Sequence, residues 1–214
     1  TFLGRTIIIG TGASARSLGI PGEKEYWGRG VSTCAVCDAA LFRNKTVAVI
    51  GGGDSAMEES LALHKFASKI YIVHRRDAFK ASKIMQDRIL TLKDKIEVIW
   101  NHATTKVVGN GKLVTGVMIK DVNSGKEREL KVDGMFLAIG HIPNTAIFSR
   151  LIKLDEHGYI ITDKRSKTSQ EGVYACGDAQ DPIFKQAVTS AGTGCQAALE
   201  AERYVEHLKA TDNY

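Results

Sequence analysis

Residues 47–59 read VAVIGGGDSAMEE, and this stretch limits the fold more than any other. A short β-branched run reaches a glycine turn, and a helix-forming stretch follows it. The turn has the form G-x-G-x-x-A through Gly51, Gly53 and Ala56, with Gly52 between. In a dinucleotide-binding strand–turn–helix, the first glycine makes the tight turn and the second lets a pyrophosphate approach the backbone. The small third residue lets helix pack on strand. N–H groups at the helix start then face the phosphates with a partial positive charge. Asp54 or Ser55 is expected to cap that helix. Glycine-rich turns also serve plain structure, but the strand before and the helix after favour a nucleotide.

The next apolar strand selects the nucleotide. KIYIVH (69–74) leads into RRDAFK, so His74, Arg75 and Arg76 stand at the strand end and Lys80 follows. An acid there would grip the ribose hydroxyls of NAD. Two guanidiniums suit a 2′-phosphate instead. At roughly 1.5–3 kcal/mol per charge-assisted hydrogen bond, two of them favour NADPH over NADH by about a hundredfold or more. Asp77 is the one acid nearby, and it follows the arginines rather than ending the strand. The plain alternative is an exposed basic turn.

Strands and helices alternate along the rest of the chain, which predicts an α/β fold with a largely parallel sheet. RTIIIG (5–10) and GMFLAIG (134–140) read as buried strands, and GVYACGD (172–178) as a strand reaching a glycine–aspartate corner. Helices are expected over 54–67 and 80–93, the second with Ala81, Met85, Ile89 and Leu92 on one face. Residues 96–132 read as a strand and a β-meander, with turns at GNG and NSG. Val188, Ala191, Cys195, Ala198, Ala201, Val205 and Leu208 keep helical spacing near the end.

Other classes are disfavoured. No apolar run approaches the ~20 residues of a membrane span. The net charge of +5 is spread without a basic run, so it reads as a solvated surface and not as a nucleic-acid face. Four cysteines do not make a disulfide framework. Cys34 and Cys37 stand three apart in STCAVCDAALF, followed at once by Asp38. A structural zinc site wants a second close pair or nearby histidines, and neither is present, so no metal is expected. A lone C-x-x-C in an enzyme of βα character reads as redox. A carboxylate beside it can move the proton that thiol–disulfide exchange requires, although a surface or capping role for Asp38 remains open.

The combination of C-x-x-C-D, GGGDSA, HRRDAF, AIGHIPNT and ACGDAQD…KQAVTSAGTGCQAALEAERY closely resembles the low-molecular-weight NADPH-dependent thioredoxin reductases, almost end to end and in family order. The resemblance implies an NADPH-binding Rossmann-like domain, 15–142, inserted into a partial FAD-binding domain, 1–14 and 143–214. The family's own FAD turn lies further upstream, so a truncated chain is expected. Electrons would pass from NADPH to FAD, then to the Cys34–Cys37 disulfide, then to thioredoxin, with the two domains rotating between steps. Cys37 matches the flavin-proximal cysteine, Cys34 the one that attacks thioredoxin, and Asp38 the proton-exchanging acid. Gly51, Gly52, Gly53, Asp54, Ser55, Ala56, His74, Arg75, Arg76, Lys80, Ile139, Gly140 and His141 fall at NADPH positions. Gly177 and Asp178 match the FAD ribityl and phosphate region, and Lys185, Gln186 and Ala187 the flavin ring. A homodimer in the cytoplasm or an organelle is implied too, with no nucleic acid or membrane partner. On this resemblance the cysteine pair passes electrons.

Ala39 stands where the family usually has glycine, and Lys80 and Lys185 where it has arginine. Lysine keeps the charge and loses the planar fork. Rival readings are a flavin component of a peroxiredoxin-reducing system, a dithiol oxidase, a ferredoxin–NADP reductase, and a binding module that holds NADPH without turnover. The double arginine argues against the oxidase, and the C-x-x-C against the ferredoxin enzyme.

Overall fold

The run Val47–Ile50 lies in the middle of a five-stranded parallel sheet, buried along its whole length. The computed structural model describes residues 2–211, so residue 1 and residues 212–214 of the expected FAD pieces lie outside it. In chain order the elements are β1 (Ile7–Ile9), β2 (Ala13–Ala15), β3 (Val31–Ser32), α1 (Ala35–Asp38), β4 (Thr46–Ile50), α2 (Asp54–His64), β5 (Lys69–Val73) and α3 (Lys83–Thr91). Then come β6 (Ile96–Ile99), β7 (His102–Gly109), β8 (Val114–Asp121), β9 (Glu127–Lys131), β10 (Gly134–Leu137), β11 (His141–Pro143), β12 (Val173–Ala175) and α4 (Ala187–Thr211).

The chain divides into two compact units. Residues 16–140 form one of them, a parallel sheet of order β3-β10-β4-β5-β6. Alternate side chains serve opposite faces, as strand geometry demands. Val47, Val49, Ile70, Ile72 and Phe136 join the helices around Met57, Leu63 and Ile89. Ala48, Ile50, Val73, Met135 and Leu137 join the other core, whose far wall is the antiparallel meander β7-β8-β9 with Val107, Val117, Ile119 and Leu130. A sheet covered by helices on one face and by a meander on the other explains why its strands read as unbroken apolar runs.

Residues 1–15 with 141–214 form the other unit. Here β1 pairs in parallel with β12, Ile7 opposite Val173 and Ile9 opposite Ala175. β2 pairs antiparallel with β11. One small core gathers Ile9, Ile152, Ile160, Ala175 and Ala179. A second sets Tyr174 against Ala197 and Ala201 of α4.

Some boundaries move. Helix α2 stops at His64, short of Ala67, and α3 begins at Lys83. The packed side of α4 carries Ala197, Glu200 and Ala201; of the expected stripe Ala201 is buried and Val205 and Leu208 are half-buried, whereas Val188, Ala191, Cys195 and Ala198 are exposed. Small residues on both sides of α4 let periodicity fit more than one stripe, and Glu200 is there because Arg165 and Arg203 each donate to its carboxylate at 2.7 Å. Among the described residues, no helix is long and apolar enough to cross a membrane.

Candidate functional site: a glycine turn and a C-x-x-C disulfide

β4 delivers the chain to Gly51, whose φ of +154° suits glycine, and a Cβ there would strike the Ala138 carbonyl and crowd Ala56. Ala56 is fully buried, so its small side chain sets how closely α2 lies on the strand. Gly53 is the N-cap, not Asp54 or Ser55. Asp54 is the first helical residue, and its Oδ1 accepts from Ser82 N at 2.9 Å and Ser82 Oγ at 2.8 Å. The side chain is committed to the loop after the basic turn, which is why it does not fold back to cap its own helix. Space beside Gly53 is open, with nothing within 4 Å of an added Cβ. Asp54 and Ser55 are exposed there.

The basic loop is tied to this turn. Gly52 O accepts from Lys80 N at 2.7 Å and Ala81 N at 3.2 Å. Gly52 also lies against the His74 ring, leaving no room for a methyl group. His74 is buried, and its Nε2 stands 3.0 Å from Ala78 O. A carbonyl only accepts, so Nε2 carries the proton and donates. Burial above all, then the charges of Arg76 and Arg75, hold the His74 pKa below its usual 6.5, against the opposing pull of that hydrogen bond. Phe79 and Trp100 pack beside it, 4.3 Å apart at their centroids. Arg75, Arg76 and Lys80 are exposed at the rim of this braced loop.

The cysteine turn belongs to the same unit. Cys34 and Cys37 form a disulfide, and Cys34 is the N-cap of α1. Cys34 Sγ accepts from Cys37 N at 3.2 Å. Cys37 is exposed and Cys34 half-buried. Ser32 Oγ donates to Asp38 Oδ2 at 2.7 Å and accepts from Cys34 N at 3.1 Å, so one hydroxyl fixes the carboxylate and the turn together. Glu59 of α2 accepts from Ala35 N. Ala39 has φ −55° and ψ −32°, ordinary helical values, so alanine at this position brings no backbone strain.

The remaining expected residues, apart from Ile139 and Gly140, fall in the other unit. Ile139 and Gly140 end residues 16–140, where Gly140 (φ +93°) accepts from Arg16 N at 3.0 Å. Gly177 (φ +65°) donates to Thr193 Oγ1 at 3.0 Å, and Asp178 Oδ1 accepts from Ser190 Oγ at 2.9 Å. Lys185 sits at φ +50°, its ammonium 5.4 Å from the Tyr159 ring centroid. Gln186 Nε2 donates to Phe184 O at 3.1 Å, and Ala187 opens α4. His141 lies on β11, its pKa lowered by burial first and by Lys185, with Asp178 opposing. His141, Asp178 and Lys185 therefore share one electrostatic neighbourhood, whereas the glycine turn, the arginines and the disulfide share the other unit.

Three residues that matter carried little sequence signal. Asp181 accepts from the amides of Ile183 (2.9 Å), Phe184 (2.8 Å) and Lys185 (3.0 Å) and from Thr189 Oγ1 (3.2 Å). Burial opposes its charge, yet those amides hold its pKa below normal. An aspartate before a proline is a turn signal that could have found it. Ser32 and Glu59 had none, since their partnerships join separate elements. Among the described residues, no cluster of His, Cys, Asp and Glu could hold a metal ion.

The pyridine nucleotide-disulphide oxidoreductase family model matches residues 1–194. Thioredoxin reductase 2 of Arabidopsis thaliana is 51% identical over 217 residues, covering 97% of this chain and 56% of that protein. The thioredoxin reductase of Schizosaccharomyces pombe is 50% identical over 210 residues, covering 97% of this chain and 65% of that one. The solved thioredoxin reductase of Streptococcus pyogenes is 42% identical with a TM-score of 0.90, covering 94% of this chain and 66% of that one. The chain thus spans 56% and 65% of the length of these two curated relatives. With a Rossmann-type sheet, a glycine turn and a C-x-x-C disulfide in matching order, the chain belongs to the pyridine nucleotide-disulphide oxidoreductase family.

Proposed function

We propose that this chain is part of a thioredoxin reductase that carries electrons from NADPH through FAD and the Cys34–Cys37 disulfide to thioredoxin, acting as a homodimer. The observation that carries the reading is the disulfide at the start of α1, with Asp38 held beside it by Ser32, in the same unit as the glycine turn and the double arginine. The unfilled space at Gly53, the free amides at the α2 start and two exposed guanidiniums suit the pyrophosphate and 2′-phosphate of NADPH. The positive-φ turn at Gly177, with Asp178, Lys185, Gln186 and Ala187, suits the phosphate, ribityl and ring parts of FAD.

When bound, the two cofactors supply a hydride and a two-electron relay. The chain's own work is thiol chemistry. Two electrons and two protons convert the Cys34–Cys37 disulfide to a dithiol. The Cys34 thiolate then attacks a thioredoxin disulfide, forming a mixed disulfide and releasing one thioredoxin sulfur as thiolate. The Cys37 thiolate attacks Cys34, restores the disulfide and releases the second sulfur. Asp38 takes the proton from the attacking thiol and returns it to a leaving thiolate.

The test is NADPH-driven thioredoxin reduction by the full-length protein, with Cys34→Ser and Cys37→Ser beside it. Both variants should lose thioredoxin turnover and keep NADPH-dependent flavin bleaching near 450 nm. Turnover that survives either substitution overturns the reading.

A further inference from the structure

Glu59 belongs to no motif, yet it accepts a hydrogen bond from the amide of Ala35, the residue directly after Cys34. That amide lies in the first turn of α1, where N–H groups have no partner within the helix. The acceptor comes instead from α2, 24 residues along the chain. Glu59 lies five positions beyond Asp54 at the α2 start, about 7.5 Å of helix. One helix therefore meets the glycine turn at its beginning and the cysteine turn soon after.

Two ionisable groups act on Glu59, Glu58 from its own helix and Asp38 from α1, and both are acids. Burial does most to favour the neutral form. The Ala35 amide opposes it, the two carboxylates reinforce it, and the pKa rises to about 7. Near neutral pH the group beside Cys34 is thus poised between acid and carboxylate.

We propose that Glu59 is a positioning residue for the dithiol: it clamps the cysteine turn to α2 through the Ala35 amide, and its charge governs how readily the reduced Cys34 sulfur ionises. This rests on the redox reading of the C-x-x-C. A Cys34 thiolate would form one residue before the amide that Glu59 accepts from, so the two groups feel one another's charge. A neutral Glu59 keeps that amide without adding charge. A Glu59 carboxylate keeps it and adds like charge, so ionisation of Cys34 becomes harder as Glu59 loses its proton.

The test takes the chain itself, reduces the disulfide with dithiothreitol, removes the reductant, and follows iodoacetamide alkylation of Cys34 by peptide mass spectrometry. The scan runs from roughly pH 6 to roughly pH 9, around the usual thiol pKa. Glu59→Gln keeps an acceptor for the Ala35 amide and removes the charge. It should match wild type near pH 6 and react at least about threefold faster near pH 8, half a pKa unit or more. Glu59→Asp restores the charge and should restore the wild-type shape. Superimposable wild-type and Glu59→Gln profiles overturn the proposal, and so does an equal change at every pH, the mark of a merely structural role. No nucleotide, flavin or thioredoxin enters the assay, so failure of the reductase reading would appear in turnover and not here.

Discussion

β4 and β1 are both short runs of β-branched apolar residues, TVAVI and III, and they end in opposite circumstances. β4 has a strand on each side and a core on each face, so Val47, Ala48, Val49 and Ile50 are all buried. Among the described residues β1 has β12 alone beside it, and of its three residues Ile9 is buried, with Ile7 58% and Ile8 43% exposed. An apolar run states that a strand is suited to burial. What buries it is decided elsewhere, by the elements that the rest of the chain stacks on each face. Residues 16–140 contain their covering layers, whereas the described residues of the other unit pack against Ile9 and leave Ile7 and Ile8 exposed.

The comparison can be broken most directly by deleting apolar side chains in both units. Phe136→Ala empties a fully buried site and should destabilise the protein by about 3–5 kcal/mol. Val188→Ala in the other unit, 83% exposed, should stay within about 0.5 kcal/mol. Urea unfolding of both variants is the measurement, and equal losses would erase the distinction.

The next effect concerns ligand contacts. Arg75→Ala with Arg76→Ala in the full-length protein should raise KM for NADPH by about a hundredfold and leave NADH little changed. Lys185→Ala, in the other unit, should leave that cofactor ratio alone. Steady-state kinetics with both nucleotides separates the two, and an unchanged ratio in the double-arginine variant removes the 2′-phosphate assignment.

A smaller loss is expected at Asp38. Asp38→Asn still accepts from Ser32 but cannot titrate. Thioredoxin turnover should fall at least about tenfold, the low side of general acid–base catalysis, while flavin reduction persists. Stopped-flow reduction beside a turnover pH profile tests this, and wild-type turnover would leave Asp38 a structural brace.

The mildest effect is on stability against pH, and it falls on both units alike. His74 and His141 each have a folded pKa below the ordinary 6.5, burial being the main cause. As pH falls through 6.5 the unfolded chain takes up protons on these histidines that the folded chain refuses, so their contribution to stability drops until the folded pKa is passed. Glu59, with a folded pKa of about 7, takes up its proton in the folded chain first and pulls the other way. Chemical denaturation at several pH values in a Glu59→Gln background should show the histidine limb. His141→Gln should shorten it while His74 keeps the rest, and an unchanged limb would mean His141 titrates normally.

Much of this was legible because it is local. The glycine turn, the alternation of strand and helix and the arginines after β5 are each written within a dozen residues, and tertiary packing had no reason to override them. The face of α4 was not, since a helix rich in alanine and glycine offers several stripes and the choice falls to Tyr174, Arg165 and Arg203. Asp54 read as a cap from its position alone, but Ser82, 28 residues away, claims its carboxylate. Ser32 and Glu59 owe their roles to α1 lying where both can reach it, a fact of packing that no local pattern records.

Gly51 and Gly52 differ in what evolution could do with them. At Gly51 both the φ angle and the Ala138 backbone exclude a side chain. At Gly52 the backbone lies outside the left-handed region, and the atoms nearest an added methyl all belong to the His74 ring. The obstacle is a side chain, and side chains can be exchanged. Positions 52 and 74 should therefore drift as a pair across lineages: Gly52→Ala harmful beside His74, tolerated beside His74→Ser, while Gly51→Ala stays harmful in either background.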